Sequence, residues 1–187
     1  MRRLMLAIAC AGLLGATGCS SPTPNLYTLA AVPGTPLPTR RLAVELRRIS
    51  LAGYLDRAEI VRGTVSYQLK VSDIDRWGEP LGRMLERVLT EDLVTRLPNA
   101  AVFAESGAIS TKPDLVVEID VQRLEPQGDA VVLLAQIAVR PEGGTAMAET
   151  VRLVAPMGDP ASTPAQVAGM SAAIGQLADT LASLLAR

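Results

Sequence analysis

The run LVVEIDVQRLEPQGDAVVLLAQIAV, residues 115–139, decides how this chain folds. From Leu115 to Val121 it places Leu115, Val117, Ile119 and Val121 on one face and Val116, Glu118 and Asp120 on the other. That period of two is the pattern of a half-buried strand. Gln127-Gly128-Asp129 is a turn signal, and Ala130 to Val139 then reads as the antiparallel hairpin partner. A second turn at Glu142-Gly143-Gly144 leads into Ala146 to Val154, so the middle of the chain is a meander.

Working outward, each flank of the meander carries one helix. On the carboxyl side Pro156, Gly158 and Pro160 break the strand pattern. Thr163 then caps a helix, with Pro164 at its first position and Gln166 completing a capping box. Val167, Met170, Ile174, Leu177, Leu181 and Leu184 recur at three and four, a narrow apolar seam that predicts packing on the sheet rather than a coiled-coil partner. On the amino side Pro80 opens a second amphipathic helix, with Leu81, Met84, Leu85, Val88, Leu89 and Leu93 on its apolar face, running to about Leu97 before Pro98 stops it. Ala101-Val102-Phe103 is a short strand after it.

Earlier still, Leu42, Val44 and Leu46 alternate with Ala43, Glu45 and Arg47, a strand, and Thr64 to Val71 reads as another with Val65, Tyr67, Leu69 and Val71 on one face. Leu51 to Arg57 and Ile60 to Gly63 between them read as loop and turn. The expectation is one α+β or layered α/β domain over residues 40–187, with a mostly antiparallel mixed sheet of five to six strands packed with two main helices.

Composition restricts the chemistry. The chain has no histidine, which removes the commonest general base and metal ligand, all His-based triads and every His zinc site. Asp73 with Asp75 and Glu91 with Asp92 are the acid pairs in reach of each other, and such neighbours are read as solvated turn or helix faces. A hydrolase built on Asp56 or Glu79 is the weakest functional reading, because no nucleophile motif accompanies them, and there is no GxGxxG or P-loop pattern. Nothing in the pattern requires a cofactor or a metal.

The amino terminus sets the compartment. Arg2 and Arg3 precede the apolar run Leu4 to Leu14 and the small residues Gly15 to Gly18, the order of a secretory signal peptide. The apolar run is too short for the ~20 residues a membrane-spanning helix needs. Ala16-Thr17-Gly18-Cys19 resembles the lipobox of bacterial lipoproteins, although Ala16 departs from the commoner Leu. The alternative Cys10 would leave an apolar region too short for an export signal.

The expectation is therefore a signal over 1–18, a diacylglycerol and an N-acyl chain on Cys19, and a flexible, proline-rich tether over 19–39. Within that tether, Leu26 to Leu29 is a candidate edge strand. Ser20 favours an outer-membrane destination facing the periplasm over the inner membrane. Removing the signal leaves 169 residues with 16 basic and 19 acidic side chains, a balance of −3 that argues against nucleic acid as a partner. With its cysteine lipidated, the mature chain can form no internal disulfide.

Two further segments carry a resemblance. Tyr54-Leu55-Asp56-Arg57 with Ile60-Val61-Arg62 resembles the YLDR-xx-IV-x-R segment of the PqiC-like auxiliary lipoproteins of bacterial ABC-type lipid transport systems. Arg76-Trp77-Gly78-Glu79-Pro80-Leu81 resembles the family's RWAEPL segment, with Gly78 in place of Ala. The order from lipobox to final helix agrees over essentially the whole chain.

The resemblance implies a non-enzymatic auxiliary or docking subunit that maintains envelope integrity. Its partner would be an MCE-domain protein bridging the periplasm, and self-assembly into a ring is left open. Tyr54 and Leu55, flanked by Asp56 and Arg57, are either an interface anchor with a polar rim or a loop tucked onto the core. Trp77 is either a lid over the helix start or a partner-facing hot spot. A second functional reading is a shuttle that encloses a phospholipid acyl chain between sheet and helices.

Overall fold

A computed structural model describes residues 22–109 and 111–187. The expected signal peptide, Cys10, Cys19 and Ser20 lie outside the described residues. Strands β1 (Asn25–Tyr27), β2 (Leu42–Leu46), β3 (Ser50–Leu51), β4 (Glu59–Val65) and β5 (Gln68–Trp77) lead to helix α1 (Leu81–Arg96). Strands β6 (Ala100–Ala104), β7 (Leu115–Gln127), β8 (Ala130–Pro141) and β9 (Met147–Pro156) follow, and helix α2 (Thr163–Leu185) comes last.

The meander is present: β7, β8 and β9 are antiparallel neighbours. β2 adds in parallel beside β7, β6 in parallel beside β2, and β3 continues the β2 edge along β7, making six strands. The core face of β7 carries Val117, Ile119 and Val121 and then shifts by one residue at a bulge around Gln122, which returns Leu124 to the interior. The strand thus runs past Val121, where the simple alternation ends, as far as Gln127. α1 packs against β6 and α2, and α2 against β8 and β9; Met84, Val88 and Leu93 of α1 and the predicted seam of Met170, Ile174, Leu177 and Leu181 of α2 are buried with the β7 face in one continuous core.

The strands form two sheets rather than one. β1, β5 and β4 make a separate three-stranded sheet, β1 parallel and β4 antiparallel to β5. The single strand expected over Thr64 to Val71 is a hairpin, and the turn expected at Ile60 to Gly63 is part of β4. The chain reverses at Ser66 and Tyr67, with φ of 49° and 65°. Two successive positive φ values are what a tight type I′ turn requires, and it usually carries Gly or Asn there. Lacking either, the alternation of Val65, Tyr67, Leu69 and Val71 conceals the reversal.

From Asn25 to Leu37 the segment expected as free tether is held on the domain. β1 occupies an edge of the small sheet, as anticipated for this stretch, and Leu29 is buried. Beyond it the chain lies as a strap across α1 and α2. Leu29 N–H donates to Met84 Sδ at 2.9 Å, Ala30 N–H to Ser171 Oγ at 3.2 Å and Val32 N–H to Asp92 Oδ1 at 2.8 Å.

Arg96, 1% exposed, closes the strap from beneath. Its guanidinium donates to Val32 O at 3.0 Å, Gly175 O at 3.2 Å and Asp179 Oδ1 at 2.7 Å, while its own carbonyl accepts from Leu37 N–H at 2.7 Å. A Cβ at Gly34 would stand 2.2 Å from Arg96 Cζ, so this crossing requires glycine.

Candidate functional site

The two motif segments, whose first residues Tyr54 and Arg76 stand 22 positions apart, are brought together by the β4–β5 pairing. Glu59 lies opposite Arg76, and Trp77 N–H donates to Ala58 O at 2.8 Å. Leu55 ends a tight turn, its N–H bonded to Ala52 O, and its side chain is 1% exposed. Trp77 is 6% exposed at the end of β5, beside Tyr27.

Of the two alternatives for each residue, burial fits the loop tucked onto the core for Leu55 and the lid over the helix start for Trp77. Tyr54 is half-buried, and its phenol is pushed up first by burial and then by the Glu125 carboxylate. Asp56 and Arg57 are exposed. Arg57 pairs with Glu59 at 3.3 Å rather than with Asp56.

Behind the loop sits a polar joint with no apolar counterpart in the sequence pattern. Arg62 donates from Nη1 to Gln166 Oε1 at 2.6 Å and Thr163 Oγ1 at 3.2 Å, and from Nη2 to the carbonyls of Pro160 and Ala161. Gln166 Nε2 in turn donates to Val61 O at 2.6 Å. Gln166 is thus a buried bridge to β4 and not the second half of a capping box. The cap is Ser162, whose side chain accepts from Ala165 N–H, and Thr163 is the first helical residue.

Thr163 Oγ1 donates to Asp75 Oδ2 at 2.6 Å, and Asn25 Nδ2 donates to Asp75 Oδ1 at 2.9 Å. These bonds, that from Thr163 foremost, hold the Asp75 carboxyl below its ordinary range. Asp75 and Asp92 are accordingly buried, bonded carboxylates and not the solvated acids that their neighbours in sequence suggested. Glu79 pairs with Arg87 at 2.9 Å. Among the described residues no cluster of three or more acids or cysteines is placed to hold a metal ion.

One of several open clefts on the described surface, of about 320 Å³, lies between the loop and the first turn of α1. Asp56 of the first motif and Pro80 of the second line it, with Arg48, Leu51, Gly82 and Arg83. At Gly82 an added Cβ would meet Ile49 O and Leu51 Cδ1 at 3.6 Å, so the wall is closely packed. Among the described residues neither Arg48 nor Asp56 forms an ion pair. Arg48 and Arg83 were not singled out from sequence. They belong to neither motif segment, and only the fold brings them to it.

The described residues form one α+β domain with this arginine-lined cleft beside both motif segments. The chain belongs to the family of ABC-type transport auxiliary lipoprotein components, whose model matches residues 27–182. Among curated proteins none matches. The fold is shared with the crystal structure of an uncharacterized protein at 17% identity and a TM-score of 0.73, covering 88% of this chain and 99% of that one. It is shared also with a Xanthomonas campestris protein of the DUF330 family, at 18% identity and 0.68, covering 87% and 95%. Among the described residues no helix is long and apolar enough to cross a membrane.

Proposed function

We propose that this chain is the lipid-anchored docking subunit of an ABC-type lipid transport system, non-enzymatic and joined to a periplasm-spanning MCE-domain protein. Lipid on Cys19 holds it to the periplasmic face of the outer membrane. The observation that carries the reading is the convergence of both motif segments on one open cleft, in a chain of the transport auxiliary family. Arg48, Arg83 and Asp56 line it with charges of both signs beside Ile49, Leu51 and Pro80, the chemistry of a protein partner's polar rim. A histidine-free chain with its acids bonded or exposed supports a role in binding rather than in turnover.

Photo-crosslinking from positions 56 and 83 of the full lipidated chain in its native membranes tests this. An adduct with an MCE-domain protein is expected, lost on Arg48→Glu with Arg83→Glu. A membrane-bound chain that yields no protein adduct overturns the docking role. The shuttle reading needs room for an acyl chain between sheet and helices, where Met84, Leu89, Leu133, Ile174 and Leu177, at most 2% exposed, already pack. Phospholipid retained by the domain in native mass spectrometry would revive it.

A further inference from the structure

The β4–β5 hairpin exposes apolar side chains that the docking cleft does not use. Val65 is 59% exposed and Tyr67 is fully exposed at its tip, and Leu26 and Ile74 are 68% and 43% exposed. Leu26 faces Arg76 across the β1–β5 ladder, so Leu26 and Ile74 share the outer side of the small sheet, opposite Asp75 and Trp77. From Ile60 to Ser72 the chain contains Arg62 and Lys70 and no acidic residue.

Strand direction shows what this hairpin faces. Because β1 is parallel to β5 and Asn25 lies opposite Asp75, the amino end of β1 points toward the end of the sheet where β5 begins, at the hairpin tip. Asn25 stands six positions from Cys19, and six residue steps reach at most about 20 Å. Asp75 stands eight positions from Tyr67 along β5, about 26 Å in the same direction. Once Cys19 is fixed in a bilayer, the tip extends as far as the anchor can.

We infer that the hairpin tip, with Val65 and Tyr67, rests in the interfacial layer of the membrane that carries the anchor. A tyrosine with an apolar body and a polar end suits that layer, and a segment with cations and no acids suits anionic headgroups. The inference rests on the lipidation of Cys19 and goes beyond the docking role.

The mature lipidated chain has no free thiol, so Ser66→Cys supplies a single attachment point for an environment-sensitive fluorophore. The strap runs from β1 away from the tip along α2, Ala30 against Ser171 and then Arg96 bridging Val32 and Gly175. Ser183→Cys therefore labels the opposite end. Both lipidated chains are placed in vesicles of phosphatidylethanolamine and phosphatidylglycerol.

The label at position 66 is expected to shift to shorter wavelength and to lose intensity when doxyl-bearing lipid is included, and the label at 183 to do neither. Val65→Ser with Tyr67→Ser should abolish the quenching at 66. Vesicle-bound protein with position 66 unquenched, or quenched equally in the Val65→Ser, Tyr67→Ser chain, overturns the hairpin contact and leaves the anchor standing. Protein that does not float with vesicles overturns the anchor, and the contact falls with it.

Discussion

Replacing Arg96 with alanine is the sharpest test of how the strap is held. The guanidinium is 1% exposed and satisfies three carbonyls, those of Val32, Asp92 and Gly175, besides the carboxylates of Asp92 and Asp179. Asp179 is more than half exposed, so that pair is solvent-screened and contributes little. The cost comes from Asp92, which is fully buried and whose Oδ2 already lacks a partner. Burial is also what pushes its carboxyl above the ordinary range, against the opposing pull of Val32 N–H and Arg96.

Without Arg96 that carboxylate keeps only Val32 N–H, and stranding one partner of a buried pair costs about 3–5 kcal/mol. In a domain of this size that corresponds to a fall in Tm of roughly 6–20 °C. Urea unfolding monitored by Trp77 fluorescence measures the loss, and amide exchange should accelerate at Val32 and Leu37 before global unfolding. The Asp92→Ala, Arg96→Ala chain should be less impaired than the sum of its two single substitutions, because the stranded charge is gone. A single-substitution loss below about 1 kcal/mol, or strict additivity in the double, refutes the account.

Arg62→Ala removes the fork into the start of α2 and should cost about 2–3 kcal/mol in urea unfolding; Arg62→Lys should recover only part, since one ammonium cannot reach two side chains and two carbonyls. Asp75 has a depressed carboxyl, so between its folded and unfolded pKa values the native state binds fewer protons than the unfolded chain. Its contribution is complete above the unfolded value near ~3.9 and is lost as pH falls through the folded one. Unfolding free energies measured across acid pH should show that slope in the natural chain and less of it in Asp75→Asn. Leu55→Ala should destabilise by about 2–5 kcal/mol, whereas Arg57→Ala, at an exposed position two residues on, should stay within about 0.5 kcal/mol by the same assay.

The sequence made the long periodic elements legible. Sixteen residues of α1, the α2 seam and the hairpin of β7 with β8 each repeat often enough for periodicity to settle their type. The failures are local or distant. At Ser66 and Tyr67 a reversal occurs without the residues that normally announce one, and at Gln122 a bulge changes the phase of the core face. The strap was hidden for another reason. Proline-rich composition does exclude helix and central strand, but it does not exclude docking, and the bonds from Val32 and Leu37 end on residues about sixty positions away.

The candidate site was legible as segments and illegible as a surface. Motifs such as Tyr54 to Arg57 and Arg76 to Leu81 do not reveal which of their side chains turn inward, and here Leu55 and Trp77 do, leaving Asp56 to line the cleft that Arg48 and Arg83 also line. The inward residues still bear on function, because the joint they sit beside links every part of the proposed assembly. Asp75 is bonded at once to Asn25 of β1, where the chain comes from Cys19, and to Thr163 at the start of α2. The strand that carries Asp75 also runs from the exposed hairpin tip to Trp77, three residues before Pro80 in the wall of the cleft. If Cys19 is lipidated and the tip sits in the interface, two points of attachment at one end of the small sheet would fix the angle at which the cleft is presented. An anchored domain with a loose joint would sweep its cleft through a hemisphere, so Asp75→Ala should weaken partner crosslinking even when the membrane still holds the chain.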